Sequence, residues 1–272
     1  MSKEFAVGIL AVLGLAMPAL GQSSGVVPPD QSVAGQTQAE WSEDWWRYTY
    51  SIPAVDNPFL DSTGVNAGIN QSGPVFFLGI SFSGPDPNNQ TANRTIEVNK
   101  NKNLFFPLVT SQFDELQLGG LSVEQLRGLN QAIIDTAENL FLEIDGLSIP
   151  VLENARQVSD VFSYDLVANS ILGNPVALTA NQAVSDGFWA MLQPLAPGEY
   201  TLRFGGDLNF ANLDIEDSLG LEEFEGFLQV AGVVSQDITY QVTSVPEPTS
   251  ALALLSVAGT VIFAAGRRQT KS

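Results

Sequence analysis

Short apolar runs of β-type residues recur through the middle of the chain, each broken by turn residues. Residues 75–80 follow Gly73-Pro74, and residues 94–98 and 104–109 flank the turn at 99–103. Residues 141–144 and 147–151 flank Asp145-Gly146, a dipeptide suited to the left-handed backbone of a tight hairpin. Further runs lie at 158–164, 187–192, 200–204, 210–215, 224–230 and 237–242, and no internal repeat is found. Short strands with frequent turns predict a mainly β fold, an antiparallel β-sandwich carrying one or two helices.

Two helices interrupt the strand pattern. Ser122-Val123-Glu124-Gln125 is a capping box, in which the serine oxygen accepts from an amide three residues on while the glutamine reaches back. Leu126, Leu129, Ile133 and Ala137 follow at helical spacing, so a helix is expected over roughly 122–138. Trp41, Trp45, Tyr48 and Thr49 share that spacing and predict a short helix with an aromatic face, ended before Pro53.

Charge and missing residue types exclude several functions. The formal net charge is −19, from 30 acidic and 11 basic residues, and only Glu4 and Glu247 of the acids lie in the segments 1–21 and 244–272. So acidic a body repels nucleic-acid phosphates, which excludes nucleic acid as a partner. The chain has neither Cys nor His. No thiol nucleophile, Ser-His-Asp triad or Cys/His zinc site can be built from it. No cofactor is expected, although carboxylate-rich surfaces suit hard cations such as calcium.

The ends read as addresses. Lys3, then the apolar stretch 5–15, then Ala19-Leu20-Gly21 has the form of a signal peptide over 1–21, cleaved before Gln22. Residues 22–39, rich in Gln, Ser, Gly and Pro, read as a flexible leader to a domain over 40–243. A tail occupies 244–272: Val245-Pro246-Glu247-Pro248, the uncharged stretch 249–266, then Arg267, Arg268 and Lys271. As a helix rising 1.5 Å per residue, that stretch would reach roughly 27 Å, enough to cross a bilayer core. A C-terminal transmembrane helix is therefore expected, with the membrane as a partner and the basic end as its stop.

Pro-Glu-Pro, an apolar helix and an Arg pair, in that order, resemble the PEP-CTERM sorting signal of exported proteins in Gram-negative bacteria that make extracellular polysaccharide. The resemblance covers residues 245–268. It implies recognition by an exosortase, a membrane-embedded processing enzyme, and a protein that is membrane-anchored, or at the cell surface or outside the cell after processing. A second resemblance covers much of 41–107: Trp41, Trp45-Trp46, Ser51-Ile52-Pro53, Asn57-Pro58, Asp61-Ser62-Thr63-Gly64, Gln71 through Leu78 and Leu104-Phe105-Phe106-Pro107. It is similar to a group of uncharacterised exported bacterial proteins. That group carries Cys near the places of Ala67 and Ile96, so its disulfide is impossible here.

No catalytic residue is nominated. Trp41, Trp45, Trp46, Tyr48 and Tyr50 offer either a sugar-stacking platform or core packing, and the helical spacing favours packing. Asp207, Asp214, Glu216, Asp217, Glu222, Glu223 and Glu225 offer a calcium site or a solvated acidic surface, and their spacing does not match a calcium-binding helix-loop-helix. Gly205-Gly206-Asp207 reads as a turn. A glycoside hydrolase or lyase needs only two close carboxylates, and the sequence does not single out a pair. The leading expectation is an exported, surface-associated protein without enzymatic activity that binds or organises extracellular polysaccharide. A carboxylate-based hydrolase or lyase and a calcium-stabilised adhesive module are the alternatives.

Overall fold

The computed structural model describes residues 25–81, 88–151, 153–215 and 221–247. Helix α1 (Gln38–Tyr50) starts where Thr37 caps it. Thr37 Oγ1 accepts from the Glu40 amide at 3.2 Å and the Glu40 carboxylate accepts from the Thr37 amide at 2.7 Å. This capping box straddles the expected boundary between the leader, 22–39, and the domain, 40–243. Helix α2 (Val123–Asp135) has the expected Ser122/Gln125 box and buries Leu126, Leu129, Ile133 and Ile134.

Among the described residues ten strands form two sheets. In the first, β1 (Val75–Phe77), β3 (Asn103–Phe113), β8 (Leu178–Leu192) and β6 (Arg156–Val158) lie in that order, and β7 (Phe162–Leu166) also pairs with β8. In the second the order is β2 (Asn89–Asn99), β10 (Val233–Val245), β9 (Gly198–Asn209), β4 (Ala137–Ile144), β5 (Leu147–Ser148). The β4–β5 hairpin turns through Asp145 (φ 52°) and Gly146 (φ 76°), as their residue types demand.

The expected antiparallel sandwich is corrected. The fold is mixed α/β, with two sheets that do not close into a sandwich. Each sheet contains a parallel pair, β1 with β3 and β2 with β10. The turn at 99–103 does not join neighbours: it carries the chain from the second sheet to the first. The physical reason is burial on both faces of β3 and β8. Leu104, Phe106, Leu108, Ala190 and Leu192 face the second sheet, where the Phe106 and Phe204 rings stack with centroids 4.1 Å apart. Phe105, Trp189 and Met191 point the other way, into a core with Trp45, Trp46 and Tyr50 of α1. A strand apolar on both sides needs a further layer outside it. Helices α1 and α2 supply that layer, α1 against β7 and β8 and α2 against β8 and β3.

Two strand assignments also fail. Residues 224–230 belong to helix α3 (Glu222–Ala231), whose Phe224, Leu228 and Ala231 pack against Leu213, Ile215 and α2. Residues 210–215 form one 3₁₀ turn (Phe210–Asn212) followed by extended chain.

The transmembrane helix is the third correction. No helix among the described residues is long and apolar enough to cross a membrane. The membrane partner and the membrane-anchored localisation rested on that helix and are set aside with it. The expected span 249–266 and the signal peptide 1–21 lie outside the described residues.

Candidate functional site

The outward face of the second sheet is a polar surface built by regular structure. Strand period places Ala92, Arg94, Ile96 and Val98 inward and Thr91, Asn93, Thr95 and Glu97 outward on β2. The parallel register sets Asp237, Thr239, Gln241 and Thr243 of β10 beside Thr91, Asn93, Thr95 and Glu97. Across the antiparallel β9–β10 pair, Arg203 lies beside Thr239 and Thr201 beside Gln241. The result is a grid of hydroxyls and amides with strands about 4.8 Å apart and outward residues about 6.7 Å apart along each strand.

One end of the grid is rigidly held. Arg203 forks Asp237 through Nε at 2.8 Å and Nη2 at 2.6 Å, and its Nη1 reaches Glu143 at 3.4 Å. Asp237 raises the Arg203 pKa further above its ordinary value, so the guanidinium stays charged. Its carbon sits 4.7 Å from the centre of the Phe141 ring. That ring lies over Gly205, where an added Cβ would come within 1.8 Å of the Gln236 carbonyl oxygen. Thr201 Oγ1 donates to Gln241 Oε1 at 2.9 Å. Beside this cluster a shallow open groove of about 500 Å³ runs past Ser62, Thr91, Asn93 and Thr239.

The residues singled out from sequence fall elsewhere. Trp41, Trp45, Trp46, Tyr48 and Tyr50 are all buried, with Trp45 stacked on Phe59 at 4.8 Å, so they pack α1 on the first sheet. Ala67 and Ile96, near the places where the resembled group carries Cys, are buried in the core between the sheets. Gly205, Gly206 and Asp207 lie within β9. Asp207 accepts from Asn139 Nδ2 at 2.7 Å, and Glu225 accepts from Gln229 Nε2 at 2.9 Å. Asp214 is exposed, and Glu216 and Asp217 lie outside the described residues. Among the described residues no group of three or more acidic side chains is placed to hold a metal ion. Val245 ends β10 opposite Asn99, and Glu247 accepts from Asn101 Nδ2 at 3.2 Å. Pro248, Arg267, Arg268 and Lys271 lie outside the described residues.

Three arginines among the described residues are each flanked by two carboxylates. Glu43 and Asp44 flank Arg47, Asp135 and Asp186 flank Arg156, and Glu143 and Asp237 flank Arg203. A guanidinium between two carboxylates occupies the place where a scissile bond and its water would sit.

The signal that would have found the polar face is the alternation over 91–98. A charged residue, Arg94, in the inward register breaks that pattern. Compared with protein-family models, curated proteins and solved structures, the chain matches none. The sorting-signal resemblance, the processing enzyme and the secretion they imply therefore gain no support from known proteins.

Proposed function

We propose that the chain is an exported protein without enzymatic activity that holds extracellular polysaccharide on the outward face of its second sheet. The observation that carries this reading is the grid of Thr91, Asn93, Thr95, Thr201, Thr239, Gln241 and Thr243 on adjacent strands. These side chains are neutral donors and acceptors in a chain of net charge −19. A long carbohydrate chain presents hydroxyls at regular intervals along an extended backbone and needs such a lattice rather than a deep cleft. The open groove beside Arg203 is shallow enough for a chain to pass through without ends.

The test is co-sedimentation of the purified full-length chain with the host's extracellular polysaccharide, in calcium and in chelator, scoring bound protein and released sugar. Retention without released reducing sugar is the expected result. Released sugar would replace this reading with the hydrolase or lyase one. Retention lost in chelator would favour the calcium-dependent adhesive module.

A further inference from the structure

Strand register gathers six carboxylates and one guanidinium on the outward face of the second sheet. Glu97 of β2, Asp237 of β10, Glu199 and Asp207 of β9, and Glu138 and Glu143 of β4 share that side with Arg203. Arg203 is already used: each of its three nitrogens donates to a carboxylate, Nε and Nη2 to Asp237 and Nη1 to Glu143. Asp207 accepts from Asn139 Nδ2 at 2.7 Å and Glu138 from Asn209 Nδ2 at 3.1 Å. Four of the six acids are thereby engaged by the protein itself. The other two, Glu97 and Glu199, are exposed and stand in one row, on either side of Thr243. Two strand spacings, about 10 Å, separate them.

Between these charges lies the neutral grid of threonine, asparagine and glutamine side chains. A carboxylate or sulfate laid on that grid would give up water and meet no cation except one that two carboxylates already hold. In the row Thr95–Gln241–Thr201 it would also stand about 7 Å along the strands from Glu97 and Glu199, inside a Debye length of roughly 10 Å at 0.1 M salt. An ammonium over the middle of the grid fares no better, because Asp237 and Glu143 beside it are bound to Arg203. Hydroxyls and neutral amides carry no such penalty.

We propose that this face selects an uncharged polysaccharide and repels polymers bearing carboxylate or sulfate groups. The inference rests on the sheet-face reading and adds to it the charge class of the polymer.

The experiment is co-sedimentation of the purified full-length chain with the host's extracellular polysaccharide, prepared in three forms of one polymer. In one, carboxyl groups are reduced to alcohols; in another, primary alcohols are oxidised to carboxylates; in the third, amino groups are added. At low salt the reduced form should be retained best and the oxidised form at least about 10-fold more weakly, since like charges brought together at a binding face are disfavoured. Added salt should narrow that gap. Glu97→Gln combined with Glu199→Gln, at two exposed positions, should narrow it at low salt by at least about 3-fold. Equal or stronger retention on the oxidised form, or preference for the aminated one, would overturn the charge class and leave the sheet-face reading standing. A gap unmoved by the double substitution would overturn the assignment of the selectivity to this face. Retention on none of the three forms would remove the sheet-face reading and this inference with it.

Discussion

Arg94 Nη1 donates to Tyr240 Oη at 2.9 Å, joining β2 to β10 inside the core between the sheets. Both side chains are fully buried. The rest of the guanidinium serves backbone carbonyls: Asp61 O at 2.7 Å, Gly79 O at 2.7 Å, Ile80 O at 3.1 Å and Phe59 O at 3.4 Å. A cation placed this way fastens the long loop before β2 to the second sheet. Arg94→Met would remove this donor from the Asp61, Ile80 and Phe59 carbonyls, while Tyr240 Oη keeps its bonds to the Gly79 amide and carbonyl. The substitution is expected to cost about 3–5 kcal/mol in urea unfolding. Arg94→Lys should recover only part of this, because an ammonium has three donors against five in a fixed fork. A loss below about 1 kcal/mol for the Met variant would mean that the loop is held by other contacts.

Trp45 is completely buried, its Nε1 donating to Leu78 O at 2.9 Å and its ring against Phe59 and Trp189. Trp45→Ala is expected to destabilise by about 3–5 kcal/mol, from lost burial and the cavity left behind. Under conditions where the variant stays folded, its polysaccharide retention should equal that of the parent. Retention lost by a folded variant would restore the sugar-platform role to this helix.

Alkaline pH should unfold the protein steeply. Burial raises the pKa of Tyr48, Tyr50, Tyr164 and Tyr240 well above the ordinary value of about 10. The folded state keeps these protons where the unfolded state releases them. Stability from the four phenols is complete below about pH 10 and is lost as pH rises further, at about 1.4 kcal/mol per pH unit for each. Tyrosinate absorbance at 295 nm and loss of the near-ultraviolet dichroism are expected to coincide for these four. Ionisation of all the tyrosines in a still-folded protein would contradict the burial argument.

Thr239 stands in the middle of the polar grid, between Asn93 and Arg203. Thr239→Glu places a carboxylate where a neutral hydroxyl faces the groove. Polysaccharide co-sedimentation should fall by about 10-fold, with stability changed by less than about 1 kcal/mol, as for most surface substitutions. Unchanged retention would move the binding surface elsewhere.

Local signals were readable wherever a few neighbouring residues decide the outcome. The Ser122/Gln125 box and the Asp145-Gly146 turn each specify their own backbone, and the structure places α2 and the β4–β5 hairpin there. Pairing was not readable, because partners lie far apart. β2 meets β10, and nothing near 89–99 signals a parallel neighbour. The apolar run at 104–109 fits a strand buried on both faces as well as one in a two-layer sandwich, and only the position of α1 decides between them. Phe224 and Val230 are β-type residues, yet the segment folds as α3 because its apolar stripe meets α2 and Leu213. The polar grid draws on three strands separated in sequence, so no spacing announces it.

The place of β10 has a consequence for how the molecule is made. It is the last strand among the described residues, yet it lies inside the second sheet, where Tyr240 meets Arg94 from 146 residues earlier. A chain growing from its N-terminus exposes the apolar sides of β2 and β9 until the final strand emerges between them. Synthesis and core completion are therefore separated in time, and a chain cut short before Val233 leaves β2 without its partner strand while β9, β4 and β5 can still pair.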